Sequence, residues 1–320
     1  MNSAGTKRIA VVTGANKGIG FEISKQLASN GIRVILTARD AKRGNEAVEK
    51  LKAAGYSDVF FHQLDVTDPA SVSSLASFIS TQFGKLDILI NNAGVFGAII
   101  DQDHRKNLKL GLNEIAGENA KSFRKVLKQT YELSTNCLQT NYYGIKLVCK
   151  ALIPLLQLSN SPRIVNVSSI LGQLQFISNE NARKELEDVE ELTEEKVDKV
   201  VEGYLEDVKE NLVDDKLINN VHCSFSQGIH YSSQATKTKG WPTNHHAYSV
   251  SKAALNAYTR ALAKNYPNIA INSVHPGHVK TDMSHESGVF IVEEGAKGPV
   301  MLALMPEGGP SGPFFDRIKV

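Results

Sequence analysis

The chain has 320 residues, 42% hydrophobic and 22% charged, which excludes general disorder or a low-complexity chain and leaves ample apolar surface for a core. Its 36 Lys and Arg nearly cancel its 34 Asp and Glu, and a formal charge of +2 is too small an excess for a nucleic-acid or anionic-membrane surface. Length alone allows one large α/β domain or about two smaller ones.

Residues 9–12 are an apolar strand, residues 13–20 a glycine turn, and residues 21–30 carry apolar side chains at helical spacing. Gly31 closes that helix, and residues 33–37 supply a second, β-branched strand, completing a βαβ unit. The alternation continues. The spacing predicts helices over 43–54, 69–83, 138–158 and 247–265, and strands over 59–64, 86–90, 163–167 and 270–274. Strands alternating with helices mean a parallel sheet covered on both faces. The expected fold is a single doubly wound α/β domain of Rossmann type with helical insertions.

Two stretches break the rhythm. Residues 97–130 are polar, lysine-rich and longer than an ordinary loop. Residues 173–239 are longer still. Within them, residues 181–215 hold fourteen acidic and five basic side chains, yet Val197, Val200, Val201, Tyr204, Leu205, Val208 and Leu212 fall on one helix face. Thr193 is a fitting N-cap with Glu194 and Glu195 in the first turn. An acidic amphipathic helix, able to act as a flap, is expected, followed by a stretch at 217–236 without one Asp, Glu, Lys or Arg.

No apolar run approaches the roughly 20 residues that span a bilayer, and the N-terminus reads as neither signal peptide nor anchor. Cys137, Cys149 and Cys223 are an odd set without Cys-x-x-Cys spacing, which fits reduced thiols and a cytoplasmic location. His275 and His278 are close and His245 and His246 adjacent, but Pro276 and Gly277 break any helix that would align the first pair. No metal site is expected.

The turn from Gly14 to Gly20 is a candidate dinucleotide site, because a glycine turn before a helix brings backbone N–H groups toward a pyrophosphate. Its spacing is Gly-x-x-x-Gly-x-Gly, and a tight turn without ligand is the competing reading. Arg39 ends the second strand, where a guanidinium favours a 2'-phosphate, and Lys17 adds a second cation. NADP is therefore preferred over NAD. Tyr248 and Lys252 stand at i and i+4, where the ammonium is expected to draw the phenol down from about 10 toward neutrality as a usable acid. Tyr142 and Lys146 have the same spacing, but only Tyr248 follows the strand that ends at Ser168 and Ser169.

Thr13-Gly14-x-x-x-Gly18-x-Gly20, Asn91-Asn92-Ala93-Gly94, Asn141, Ser169, Tyr248-x-x-x-Lys252 and Pro276-Gly277, in this order, resemble the short-chain dehydrogenase/reductase family over nearly the whole chain. Ala38-Arg39-Asp40, residues 61–65 and the long insertion before the tyrosine resemble its monomeric carbonyl reductases. Residues 153–159, Gly240-Trp241-Pro242 and residues 309–312 are similar to the plant branch holding menthone (neomenthol-forming) and salutaridine reductases.

The resemblance implies roles. Tyr248 would protonate a carbonyl oxygen, Lys252 would lower its pKa and hold ribose hydroxyls, Ser169 would bind the substrate oxygen, and Asn141 would hold a proton-relaying water. Cofactor contacts would come from Thr13, Gly14, Asn16, Lys17, Gly18, Ile19, Gly20, Arg39, Asp65, Val66, Asn92, Ala93, Gly94, Tyr248, Lys252, Pro276, Gly277, Val279 and Thr281. Trp241 would either line a substrate pocket beside Ser169 or staple the insertion. The implied activity is NADPH-dependent reduction of a ketone or aldehyde on a bulky apolar terpenoid or alkaloid by a monomer. An oxidatively running NAD(P)-dependent dehydrogenase and an inactive dinucleotide-binding protein are the alternatives.

Overall fold

A computed structural model describes residues 7–101, 127–219, 239–242 and 246–319. The first βαβαβ half is β1 (Ile9–Val12), α1 (Gly18–Ser29), β2 (Arg33–Ala38), α2 (Ala41–Ala53) and β3 (Val59–Gln63). Then come α3 (Pro69–Phe83), β4 (Ile88–Asn91), β5 (Ile99–Ile100), β6 (Leu127–Lys128), α4 (Tyr131–Leu138), a π-helical turn (Gln139–Tyr143) and α5 (Gly144–Leu156). The chain continues through β7 (Arg163–Val167), α6 (Glu180–Glu187), α7 (Glu194–Asn219), α8 (His246–Asn265), β8 (Ala270–His275), α9 (Val292–Ala303) and β9 (Phe314–Asp316).

Seven strands form one parallel sheet in the order β3-β2-β1-β4-β7-β8-β9, while β5 and β6 pair antiparallel beside it. This is the expected doubly wound Rossmann fold. β1, β4 and β7 are buried along their whole length, in keeping with their largely apolar sequences, and Asn91 on β4 donates to Asn166 on β7 at 2.8 Å. α1, α2 and α9 cover one face, and α3, α5 and α8 the other. The winding direction reverses between β1 and β4, so a crevice opens at their carboxyl ends, where open α/β sheets bind ligands.

Boundaries differ from expectation where caps decide them. Asp40 accepts a hydrogen bond from the Arg43 N–H at 2.8 Å and starts α2 at Ala41, two residues before the apolar spacing begins. Thr130 accepts from the Leu133 N–H and starts α4, so the long core helix begins seven residues before 138. α9 and β9 are elements the periodicity did not predict. α9 packs through small residues, and a Cβ on Gly298 would lie 2.5 Å from the Arg317 carbonyl oxygen. Such a close backbone approach leaves no apolar stripe to read.

The acidic helix exists as α7, with Thr193 capping it through the Lys196 N–H. Val197, Val200, Val201, Tyr204 and Val208 are buried in the main core, and Leu205 is half-buried. Leu212 lies outside the described side chains, and the uncharged stretch lies outside the described residues from 220 onward. Residues 102–126 of the first insertion and Cys223 and His245 are outside them as well. The Tyr142 hydroxyl donates to Asp198 on α7 at 2.8 Å, and Lys146 Nζ donates to both Asp198 oxygens at 2.7 and 2.6 Å. The second Tyr-x-x-x-Lys pair thus anchors the insertion to α5. A flap motion of α7 would have to break these bonds and expose its five buried apolar side chains. Among the described residues no helix is long and apolar enough to cross a membrane.

Candidate active site

The turn after β1 is shaped by three glycines. Gly14 has φ +62° and its absent Cβ would lie 2.9 Å from Ala93 Cα, while Gly18 has φ +57°. A Cβ on Gly20 would sit 2.4 Å from Asn92 Nδ2 and 2.7 Å from the Gly14 carbonyl oxygen. These positions therefore require glycine. Lys17 caps α1 without a side-chain hydrogen bond, so the first N–H groups of α1 face the crevice unsatisfied by a cap.

Thr13 and Asn92 tie the turns after β1 and β4 together. Thr13 Oγ1 accepts from the N–H groups of Asn92 and Ala93, both at 3.0 Å. Asn92 Nδ2 donates to the carbonyl oxygens of Thr13 and Gly14 at 2.9 and 3.1 Å. Thr13 is fully engaged in this tie and does not line the cleft.

The cleft at the sheet reversal has a volume of about 820 Å³. Its floor is Gly14, Asn16, Gly18, Ile19 and Gly20, with Asn92, Ala93 and Gly94 beside them. Lys17, Arg39, Asp65 and Val66 line it toward β2 and β3, Tyr248, Lys252 and Pro276 toward β7 and β8, and Thr281 stands over Gly18. Besides Thr13, the expected contacts Ser169, Trp241, Gly277 and Val279 are not among the residues lining this surface. Gly277, at φ +91°, turns the chain so that Val279 is buried and bridges to Phe290. Trp241 is buried, its ring edge-on to Tyr204 at 5.2 Å and its Nε1 donating to Asp207 at 2.8 Å. It staples the insertion and is not among the residues lining the cleft.

Arg39 is exposed at the end of β2, and Arg43 joins it from the first turn of α2. Arg43 was not recognised in the sequence because the helix start was placed on it; the Asp40 cap signature would have set it one turn from Arg39. Asp40 is consumed as that cap. Lys17 is ion-paired with Asp282 across the cleft, and this cation holds the Asp282 carboxyl below its usual range.

At the other end, Ser169 follows β7 and caps a short 3-10 turn (Ile170–Gly172), its Oγ accepting from the Leu171 N–H at 3.2 Å. Its side chain lies near enough to the Tyr248 hydroxyl to favour the phenolate. Burial pushes the Tyr248 phenol up to about 12, and the Ser169 hydroxyl only partly opposes this. The expectation that Lys252 acidifies Tyr248 toward neutrality is corrected here. Lys252 is itself buried, pulled down to about 8, and its Nζ donates to the Val167 carbonyl oxygen at 2.8 Å. Desolvation outweighs the cation's influence on the ring 5.7 Å away.

Asn141 stands in the π-helical turn, a distortion common at functional sites. Its Oδ1 accepts from the Val95 N–H at 2.8 Å and its Nδ2 donates to the Val95 carbonyl at 2.9 Å, clamping the segment after β4. The same Nδ2 reaches Ser251 Oγ at 3.1 Å, and Ser251 donates to the Tyr248 carbonyl at 2.7 Å. Asn141 and Lys252 converge on Gly94, where a Cβ would meet Asn141 Oδ1 at 3.2 Å and Lys252 Nζ at 3.8 Å.

Phe96 and Ser168 were not foreseen. The Phe96 ring lies 5.6 Å from that of Tyr248, and Ser168 Oγ is buried in the cleft wall with no partner among the described residues. A glycine cradle, an uncapped helix start, two arginines and an unpartnered hydroxyl fit a phosphorylated dinucleotide. Among the described residues no cluster of three His, Cys, Asp or Glu is placed to hold a metal ion. Burial pushes His275 down to about 4.

A Rossmann sheet with a glycine turn at its reversal, beside a strand-end serine and a tyrosine one turn from a lysine, defines a dinucleotide-dependent oxidoreductase. The chain belongs to the short chain dehydrogenase family, whose model matches residues 8–181, and a second model, Enoyl-(Acyl carrier protein) reductase, matches residues 216–294. It is 51% identical to salutaridine reductase of Papaver somniferum over 98% of this chain and 96% of that protein. The structure of that reductase superimposes with a TM-score of 0.85 at 50% identity, covering 97% of this chain and 99% of the other. Identity to (+)-neomenthol dehydrogenase of Arabidopsis thaliana is 51%, over 98% of each chain. The structure of menthone neomenthol reductase from Mentha piperita matches with a TM-score of 0.78 at 46% identity, over 98% and 99% of the two chains.

Proposed function

We propose that this protein is an NADPH-dependent reductase that converts a ketone or aldehyde on a bulky, largely apolar molecule, a terpenoid or alkaloid ketone, to an alcohol. The observation that carries this reading is the placement of Tyr248 and Lys252 in the wall of the same cleft that Arg39 and Arg43 line, beside the end of β7 from which Ser169 follows. The names of the relatives, salutaridine reductase and (+)-neomenthol dehydrogenase, support the substrate class.

The reduced nicotinamide, when bound, supplies a hydride to the carbonyl carbon. Ser169 and Tyr248 hold the carbonyl oxygen between two hydroxyls, and Tyr248, protonated at neutral pH, donates its proton as negative charge develops there. Lys252, still mostly protonated below about pH 8, favours the phenolate that remains and holds ribose hydroxyls. Asn141, through Val95 and Ser251, keeps the wall beside Lys252 open for a proton-relaying water. Arg39 and Arg43 take the 2'-phosphate, the basis for preferring NADP. The N–H groups at the start of α1 receive the pyrophosphate.

The chain acts in this reading as one Rossmann-type domain with insertions at 97–130 and 173–239, in the cytoplasm and as a monomer. α7 packs on α8 and is bonded to Lys146 of α5, which covers these helices from within the chain. A light-scattering mass of one chain is expected, and a mass of two would contradict it. The activity is tested by following NADPH absorbance with monocyclic terpenones, alkaloid ketones and simple quinones. Turnover confined to bulky cyclic ketones with NADPH is expected, and no consumption with any carbonyl would overturn the reading.

A further inference from the structure

One buried polar cluster takes no part in this chemistry. Tyr204 on α7 is fully buried, and its hydroxyl is hydrogen-bonded to Nδ1 of His246 and lies 3.4 Å from Ser134 Oγ on α4. Burial keeps the Tyr204 phenol neutral by raising its pKa. His246 is 1% exposed and is the first residue of α8, two positions before Tyr248. Its backbone N–H donates to Gln129 Oε1 at 3.1 Å. Trp241, held by Asp207, closes the other side of the Tyr204 ring.

Gln129 ends the first insertion, and Tyr204 and Asp207 belong to the second. Both insertions therefore meet at the first turn of the helix that presents Tyr248. The first N–H groups of a helix have no partners within it, so a first turn is held in place only by what surrounds it. A proton donor must keep hydrogen-bond reach of the reacting oxygen, and a displacement of about 1 Å can cost on the order of 100-fold in rate.

We propose that Tyr204 and His246 are positioning residues: their buried hydrogen bond sets the first turn of α8 and so fixes where the Tyr248 hydroxyl stands in the cleft. The proposal rests on the reading of Tyr248 as proton donor. Tyr204→Phe keeps the ring and removes the hydroxyl. Its expected effect is a fall in kcat of roughly tenfold or more, with KM for NADPH unchanged, because the adenosine end of the cleft is untouched.

A second variant separates positioning from stability. Replacing both partners, Tyr204→Phe with His246→Leu, removes both ends of the hydrogen bond together, and its melting temperature is followed beside its kcat. In this double variant kcat stays low. The proposal is overturned if kcat of Tyr204→Phe matches wild type, or if kcat of the double variant recovers together with its melting temperature. Hydrogen exchange at the amides of residues 250–253, whose helical partners are the carbonyls of the first turn, gives a readout independent of turnover. Faster exchange in Tyr204→Phe supports the positioning role, and unchanged exchange overturns it. Retained turnover in Tyr248→Phe would defeat the donor reading instead, which keeps the two failures apart.

Discussion

Lys252 lies one helical turn beyond Tyr248, yet its Nζ donates to the Val167 carbonyl oxygen at 2.8 Å and stands 5.7 Å from the Tyr248 ring centroid. The ammonium is fixed to a strand end, and burial moves the two groups toward each other, the phenol up to about 12 and the ammonium down to about 8. A phenol with its proton in place suits reduction, in which it must give that proton away.

The buried ammonium should leave a pH signature in stability. Its folded pKa of about 8 lies below the ordinary lysine value of 10.5, so below about pH 8 the full cost of holding the charge is present. Between about 8 and 10.5 the unfolded chain binds more protons, and that cost is relieved as pH rises. Denaturant unfolding of wild type and Lys252→Met from pH 7 to 10 should therefore show wild type gaining on the variant by roughly 1.4 kcal/mol per pH unit above 8. A gap that is flat or widens against wild type would contradict the buried-ammonium account.

Arg39 is exposed in the cleft and forms no ion pair among the described residues, so its guanidinium is free for a phosphate. Arg39→Ala should raise KM for NADPH by about tenfold to a hundredfold, the worth of a charge-assisted hydrogen bond of roughly 1.5–3 kcal/mol, and leave KM for NADH unchanged. Steady-state kinetics with both coenzymes checks this, and an unaltered coenzyme preference would remove Arg39 from the phosphate site.

Asp198 accepts from both Tyr142 and Lys146. Asp198→Ala leaves a fully buried phenol and a half-buried ammonium without their acceptor, and should cost roughly 2–3 kcal/mol in the urea midpoint. A loss below about 0.5 kcal/mol, the scale of an exposed ion pair, would mean that α7 is held by its apolar face alone.

The sheet was legible because buried strands between amphipathic helices leave short apolar runs, as in residues 9–12 and 88–90. Chain order sets Tyr248, and not Tyr142, after the strand that ends at Ser168, and the structure places Tyr248 in the cleft wall and Tyr142 on Asp198. What stayed hidden depends on contacts distant in sequence. α9 packs through glycine and alanine, Arg43 was masked by a misplaced helix start, and Trp241 could be placed only once its Asp207 partner was known. Nor does the spacing of Tyr248 and Lys252 reveal how deeply both are buried, and that burial reverses the expected direction of the phenol's pKa.

The central claim is that the Tyr248 hydroxyl delivers the proton. Tyr248→Phe retains the ring against Phe96 and removes only that hydroxyl. Single-turnover oxidation of bound NADPH in the presence of a bulky ketone should slow by on the order of 100-fold to 10,000-fold in this variant, with NADPH affinity preserved in a fluorescence titration. A rate within a few-fold of wild type would contradict the account.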